Sequence, residues 1–154
     1  MFSLVDDEPP TFANFVAGPN GEAITALQRA ARGDARDGIL LWGAEGTGKS
    51  HLLQAFVAEA ARGGRVARYF ATPTAVDTDV AVDADADMAG EAPCIAVDDT
   101  DRADATAQAR LFTLFNAVRA RSGAFVAASR VQASRTALRD DLRTRLGWGL
   151  TFEI

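Results

Sequence analysis

The stretch Gly43-Ala44-Glu45-Gly46-Thr47-Gly48-Lys49-Ser50 constrains the fold more than any other part of this sequence. It matches the pattern G-x-x-x-x-G-K-[ST] in full. It also follows a short apolar run at 38–42 and opens a segment in which Leu52, Leu53, Phe56, Val57 and Ala60 recur at helical spacing. Glycines let a main chain wrap round a phosphate with successive N–H groups turned inward. The helix that follows adds the partial positive charge of its N-terminus. The implied unit is a strand, a phosphate-holding loop and a helix. Gly43, Ala44, Glu45, Gly46, Thr47 and Gly48 line the phosphate, Lys49 reaches the β- and γ-phosphates, and Ser50 offers a hydroxyl to Mg²⁺. His51, the single histidine, reads as a packing or capping residue of the first helical turn in preference to a catalytic base.

Around this loop, apolar runs and helical stretches alternate. Strands are expected at 38–42, 65–71, 93–98, 123–129 and 149–154. Helices are expected from Ala23 to a stop at Gly33, then over 49–62, 103–122 and 136–146. Alternation of this kind implies crossover connections and a parallel sheet covered on both faces. The expected fold is α/β: a three-layer α/β/α sandwich on a five-stranded parallel sheet, with ligand at the carboxyl ends of the strands. Residues 1–10 are short and acidic, end in Pro9-Pro10, and read as an extended arm; 11–154 form the nucleotide-binding domain. The segment 72–90 reads as a solvated acidic loop with at most one poor helical turn. Its Asp83, Asp85 and Asp87 do not form a calcium loop, because the required glycine is replaced by Met88 and the bidentate glutamate by Cys94.

The third apolar run, Cys94-Ile95-Ala96-Val97, ends in Asp98-Asp99. Behind a complete phosphate loop, a strand ending in two carboxylates suits nucleoside triphosphate chemistry. Asp98 is the expected Mg²⁺-side ligand, directly or through water, and Asp99 the candidate base for an attacking water.

Composition bounds the remaining choices. The 154 residues suffice for one domain, and 48% hydrophobic with 24% charged residues is ordinary for a globular protein. A net charge of −5 argues against a dedicated reader of duplex DNA. The lone Cys94 excludes an intrachain disulfide and suits a reducing compartment. No run approaches a membrane span and no basic-then-apolar leader is seen, so the expected location is cytoplasmic, away from the membrane.

The motifs together resemble the DnaA/Hda family of AAA+ ATPases over nearly the whole chain. Thr11-Phe12-Ala13-Asn14-Phe15-Val16-Ala17-Gly18 is similar to the family's T-F-x-x-F-V-x-G entry box, and by that likeness Phe15 and Val16 line the adenine pocket. Residues 43–53 resemble its G-x-x-G-x-G-K-[ST]-H-L-L segment, which brings His51 into the nucleotide-binding set. Val97-Asp98-Asp99 resembles the Walker B strand and Leu114-Phe115-Asn116-Ala117 the helix after it. Arg145-Leu146-Gly147-Trp148-Gly149-Leu150 resembles the family's R-[LF]-x-W-G-L segment. The likeness makes Arg145 an arginine finger donated in trans to a neighbour's nucleotide; read by period alone, Arg135, Arg139 and Arg143 form an exposed basic helix stripe beside it.

The resemblance implies ATP or ADP with Mg²⁺ as cofactors, weak intrinsic hydrolysis, and a regulatory role in bacterial replication initiation exerted by docking on the DnaA initiator. A self-sufficient ATPase of helicase-loader type and a nucleotide-free interaction module are the alternatives. Departures are also visible. Ser129 stands where initiators carry a carboxylate, and Asp141 where they often carry arginine. The sequence ends at Ile154, before a helical lid, so the lid, its sensor 2 arginine and the DNA-binding helix-turn-helix are expected to be absent. Met1-Phe2-Ser3-Leu4-Val5 is a degenerate version of the sliding-clamp motif of Hda-type regulators.

Overall fold

The computed structural model describes residues 10–12, 20–34, 38–76, 92–147 and 149–154. Its elements run α1 (Gly21–Ala31), β1 (Ile39–Trp42), α2 (Lys49–Arg62), β2 (Ala67–Phe70), β3 (Cys94–Val97), α3 (Ala105–Ala120), β4 (Ala124–Ser129), α4 (Asp140–Gly147) and β5 (Leu150–Glu153). The five strands form one sheet in the order β2-β3-β4-β1-β5. Every neighbouring pair is parallel.

The alternation of side chains along the strands sorts the core into two layers. Ile39 and Leu41, Cys94 and Ala96, and Ala124, Val126 and Ala128 face one side, where Leu27 of α1 and Leu52, Leu53 and Phe56 of α2 cover them. Leu40, Ile95, Val97, Phe125 and Ala127 face the other, under Leu111, Leu114 and Phe115 of α3 and Leu142 and Leu146 of α4. Phe115 and Phe125 meet edge-to-face with centroids 5.3 Å apart. The α/β/α sandwich and its five-stranded parallel sheet are therefore as expected. β4 is buried along its whole length, whereas the edge strand β2 is mostly half-buried and β5 mostly exposed. Burial lifts the Cys94 thiol to about 11, which makes it an inert core residue.

Element boundaries differ from expectation where local hydrogen bonding intervenes. α3 begins at Ala105, not 103, because the Asp104 carboxylate caps it by accepting from the Ala107 amide at 2.8 Å. The last helix begins at Asp140, not 136. Residues Ala133–Arg135 form a single tight turn, closed by Thr136 Oγ1 donating to the Ala133 carbonyl at 2.8 Å. The Arg139 amide is then taken by Gln108 Oε1 of α3 at 2.9 Å. Arg135 and Arg139 consequently lie outside α4, and the expected stripe of Arg135, Arg139 and Arg143 on one helix does not form. Within 72–76 the expected poor helical turn is present at Pro73–Ala75. The acidic residues Asp77 to Asp87, the arm at 1–9, and Phe15, Val16 and Trp148 lie outside the described residues.

The return from α4 into β5 depends on Gly149. A Cβ there would sit 1.9 Å from the Gly38 carbonyl oxygen, at the start of β1. The contact involves backbone, so no side-chain rotation relieves it. Leu150 N–H bonds that same carbonyl at 2.9 Å and sets the β1–β5 register. Gly149→Ala is expected to cost about 1–3 kcal/mol, lowering the thermal midpoint by roughly 3–10 °C in calorimetry.

Candidate functional site: a phosphate cleft at the carboxyl ends of the strands

The loop between β1 and α2 is anchored to the sheet where it leaves β1. Gly43 N–H donates to the Ser129 carbonyl at 3.1 Å, and Ile154 N–H to the Trp42 carbonyl at 2.8 Å. Gly48 precedes the first turn of α2 at φ 100°, a left-handed conformation that side chains beyond Gly rarely adopt. No side chain caps the helix and no acidic residue lies in its first turn. Its leading amides and the positive end of its dipole therefore open onto the loop. The sequence builds an anion site by omission here, since a serine or aspartate cap would have consumed those donors.

Lys49 is 8% exposed and folds back over the loop. Its Nζ donates to the Gly43 carbonyl at 2.5 Å, the Ala44 carbonyl at 2.7 Å and Thr47 Oγ1 at 3.4 Å. Burial pulls its pKa below the ordinary lysine value; Asp98, Asp99, Asp101 and Glu45 oppose that shift.

Asp98 follows β3 and is 4% exposed. Its Oδ2 accepts from Ser50 Oγ and, at 2.9 Å, from the Tyr69 hydroxyl; its Oδ1 accepts from the Asp99 amide at 3.1 Å. Tyr69, on β2, is the residue that motif reading overlooked. Burial and then its bond to Asp98 raise its pKa. A usable signal existed: Tyr69 sits near the carboxyl end of the strand beside β3, where α/β sheets place their ligands. Asp99 occupies the left-handed region at φ 51°, which a residue with a Cβ adopts only when its surroundings hold it there. Burial, followed by repulsion from Asp98, raises its carboxyl pKa. That shift moves it toward the range of a working general base.

These groups surround a cleft of about 540 Å³ lined by Glu45, Gly46, Gly48, Lys49, Ser50, Asp98, Asp99, Arg102 and Arg130. Arg102 bridges to Glu45 at 2.9 Å, and Arg130 bridges to Asp101 at 2.9 Å. Both arginines follow strands β3 and β4 at their carboxyl ends, which is the positional signal that could have found them. Ser129 does not face the cleft with a free hydroxyl: its Oγ donates to the Val131 carbonyl at 2.7 Å and accepts from the Val131 amide at 3.2 Å.

The other expected residues are placed elsewhere. His51 Nε2 donates to the Thr11 carbonyl at 2.7 Å, tying the entry segment to α2, in keeping with a packing role. Phe12, beside Thr11, packs on the layer formed by α1 and α2. Arg145 lies on α4 with its guanidinium 5.1 Å from the centroid of Phe112, a ring that Arg139 also approaches at 5.6 Å. It does not line the cleft of its own chain. Asp141 is paired with Arg139 at 2.6 Å.

A parallel sheet with a glycine loop, a buried lysine and paired carboxylates at its carboxyl edge defines the class of P-loop nucleoside triphosphatase domains. Within that class, the family model described as the bacterial DnaA ATPase domain matches residues 7–153, and the chain belongs to this AAA+ family. Among solved structures, a DNA replication initiation factor superposes with a TM-score of 0.76 at 25% identity, covering 94% of this chain and 49% of that one. DnaA from Aquifex aeolicus, solved with AMPPCP bound, gives a TM-score of 0.75 at 22% identity over 94% of this chain and 50% of its own. A protein from Neisseria meningitidis solved in solution is 30% identical, with a TM-score of 0.59 over 96% of this chain and 91% of its own. The chain spans about half the length of the initiator structures it matches. Among the described residues no helix is long and apolar enough to cross a membrane.

A buried ammonium bonded only to carbonyls and a hydroxyl is an expense the fold alone does not require. Because the folded-state pKa of Lys49 is lowered, the nucleotide-free protein gains stability as pH rises from below that pKa toward the ordinary lysine value. Lys49→Met is accordingly expected to raise the thermal midpoint of the nucleotide-free protein by a few degrees, each ~1 kcal/mol being worth about 2–4 °C at this size. Thermal melts of the two proteins check this; a lower midpoint for the variant contradicts it.

Proposed function

We propose that this chain binds ATP or ADP with Mg²⁺ and acts as a regulatory AAA+ module in bacterial replication initiation, docking on the DnaA initiator and promoting hydrolysis of its bound ATP. The observation that carries the nucleotide reading is the convergence of Lys49, the open N-terminus of α2 and the Ser50–Asp98 pair on one cleft. The Ser50 hydroxyl and the Asp98 carboxylate are adjacent hard oxygen donors. Oxygen donors of this kind suit Mg²⁺, which the two residues would hold beside the phosphates. When bound, Mg²⁺ would neutralise charge on the phosphate oxygens. Ser50 and Asp98 hold that position, Tyr69 keeps the Asp98 carboxylate oriented, and Asp99 stands ready to accept a proton from water.

The regulatory part of the reading is supported by Arg145. Its guanidinium lies over Phe112, away from its own cleft, and a guanidinium is planar, always charged and matched in shape to phosphoryl oxygens. Arginine fingers contribute about 10³–10⁵ in rate, enough to make the partner the visible ATPase. A second reading, a self-sufficient ATPase of helicase-loader type, is favoured by Asp99, Arg102 and Arg130 sharing the cleft in cis.

Titration of fluorescent ADP and ATP onto the purified protein tests the first claim; Lys49→Ala should abolish binding. Arg145→Ala should leave that binding intact and remove stimulation of initiator ATP hydrolysis. Equal stimulation by the variant eliminates the finger role. Turnover by the isolated wild type, lost in Lys49→Ala, supports the second reading.

A further inference from the structure

Three cations line the cleft, and they differ in what each must give up to move onto a ligand. Lys49 is buried and bonded to the carbonyls of its own loop. Arg130 donates to Asp101, whose side chain is 6% exposed and whose Oδ1 has no hydrogen-bond partner among the described residues. Withdrawing that guanidinium would strand a buried carboxylate. Arg102 pairs with Glu45 at 2.9 Å, and these side chains are 51% and 73% exposed. Water screens such a pair and solvates both partners once they part. Of the three cations, Arg102 is the one whose present partner is readily exchanged.

The main chain that carries Arg102 is fixed. The turn Thr100–Arg102 follows the Asp98-Asp99 pair, and Thr100, fully buried, donates from Oγ1 to the Ala128 carbonyl of β4 at 2.9 Å. Asp101 is tied to Arg130, and the Arg102 amide donates to the Asp99 carbonyl at 3.0 Å. A rigid root thus presents a half-exposed guanidinium on the acidic side of the cleft. Glu45 stands on the other side, in the glycine loop between β1 and α2. The ion pair joins the two sides.

Glu45 is the only acidic residue of the loop Gly43–Ser50. Its carboxylate opposes an incoming polyphosphate, while the group it holds suits one: a guanidinium is planar, always charged and matches phosphoryl oxygens with parallel N–H groups. A diphosphate or triphosphate offers Arg102 several charged oxygens against the two of Glu45, so the exchange favours the ligand.

We propose that Arg102 is a phosphate-binding residue held in reserve by Glu45: the pair bridges the cleft before nucleotide arrives, the guanidinium then passes to the phosphates, and Glu45 sets the affinity by competing for it. The proposal rests on the nucleotide-binding reading above and deepens it.

Affinities for ADP and AMPPCP, both with Mg²⁺, are measured by competition against a fluorescent ADP. Glu45→Gln should tighten both by about two- to five-fold, since it frees Arg102 and removes a repelling charge. Arg102→Ala should weaken both by about ten-fold, and Arg102→Lys, which keeps the charge and loses the fork, should recover only part of that. The double variant E45Q/R102A decides between contact and masking. If Arg102 touches phosphate, the double variant binds about ten-fold more weakly than Glu45→Gln alone. If Arg102 only neutralises Glu45, the two bind alike, and the proposal is overturned. Arg62→Ala, at the far end of α2 and paired with Glu59, makes the same change in net charge and should leave both affinities as they were. Weakening by Arg62→Ala as large as that by Arg102→Ala, no weakening by Arg102→Ala, or no tightening by Glu45→Gln also overturns the proposal while nucleotide binding stands. A wild type that binds neither nucleotide overturns the parent reading and this proposal with it.

Discussion

The carboxylate of Asp98 is the junction on which the site depends. Its two oxygens receive Ser50 from α2, Tyr69 from β2 and the Asp99 amide from its own chain, and the side chain is almost wholly removed from water. A charge so buried is tolerable only with its acceptor sites filled. Filling them ties the edge strand, the strand that carries the acid and the phosphate helix into one arrangement. The same bonds leave the glycine loop facing Asp99 with Lys49 between, so the junction that stabilises the carboxylate also sets the geometry of the cleft.

Function here is concentrated where local rules are broken. Lys49 is charged and buried, Asp99 is a left-handed residue with a side chain, and α2 begins without a cap. Each costs stability, and all three adjoin one cleft, the pattern expected when a fold accepts strain to hold a ligand. Elsewhere, Ser122 also takes a positive φ and the helix Gly21–Ala31 also begins without a side-chain cap, but neither lines the cleft. Strand side chains alternate between two apolar layers, α3 is capped by Asp104, and close backbone crossings fall at Gly43, Gly123 and Gly149.

Much of this was legible in the residues. Periodicity placed all five strands and the helices to within a few residues, because a parallel sheet buried on both faces demands apolar runs and its helices demand one apolar side. The phosphate loop was legible because its spacing is a requirement of local backbone geometry. The start of α4 was not. Thr136 and Arg139 look helical in isolation, yet their bonds go to Ala133 and to Gln108, and Gln108 lies on another helix.

What the amino-acid order determined by itself is the local chemistry: a loop of glycines before a lysine, an apolar strand ending in two acids, an alternation that admits only a layered sheet. What only the tertiary structure decided is partnership between distant residues. Tyr69 reaches Asp98, Asp101 holds Arg130, Glu45 meets Arg102, and Arg145 settles on Phe112 outside its own cleft. The reason is physical. Helix caps and glycine turns are written within a few residues, whereas a buried charge is satisfied by whichever group the sheet order brings beside it, and that order is a property of the packed core.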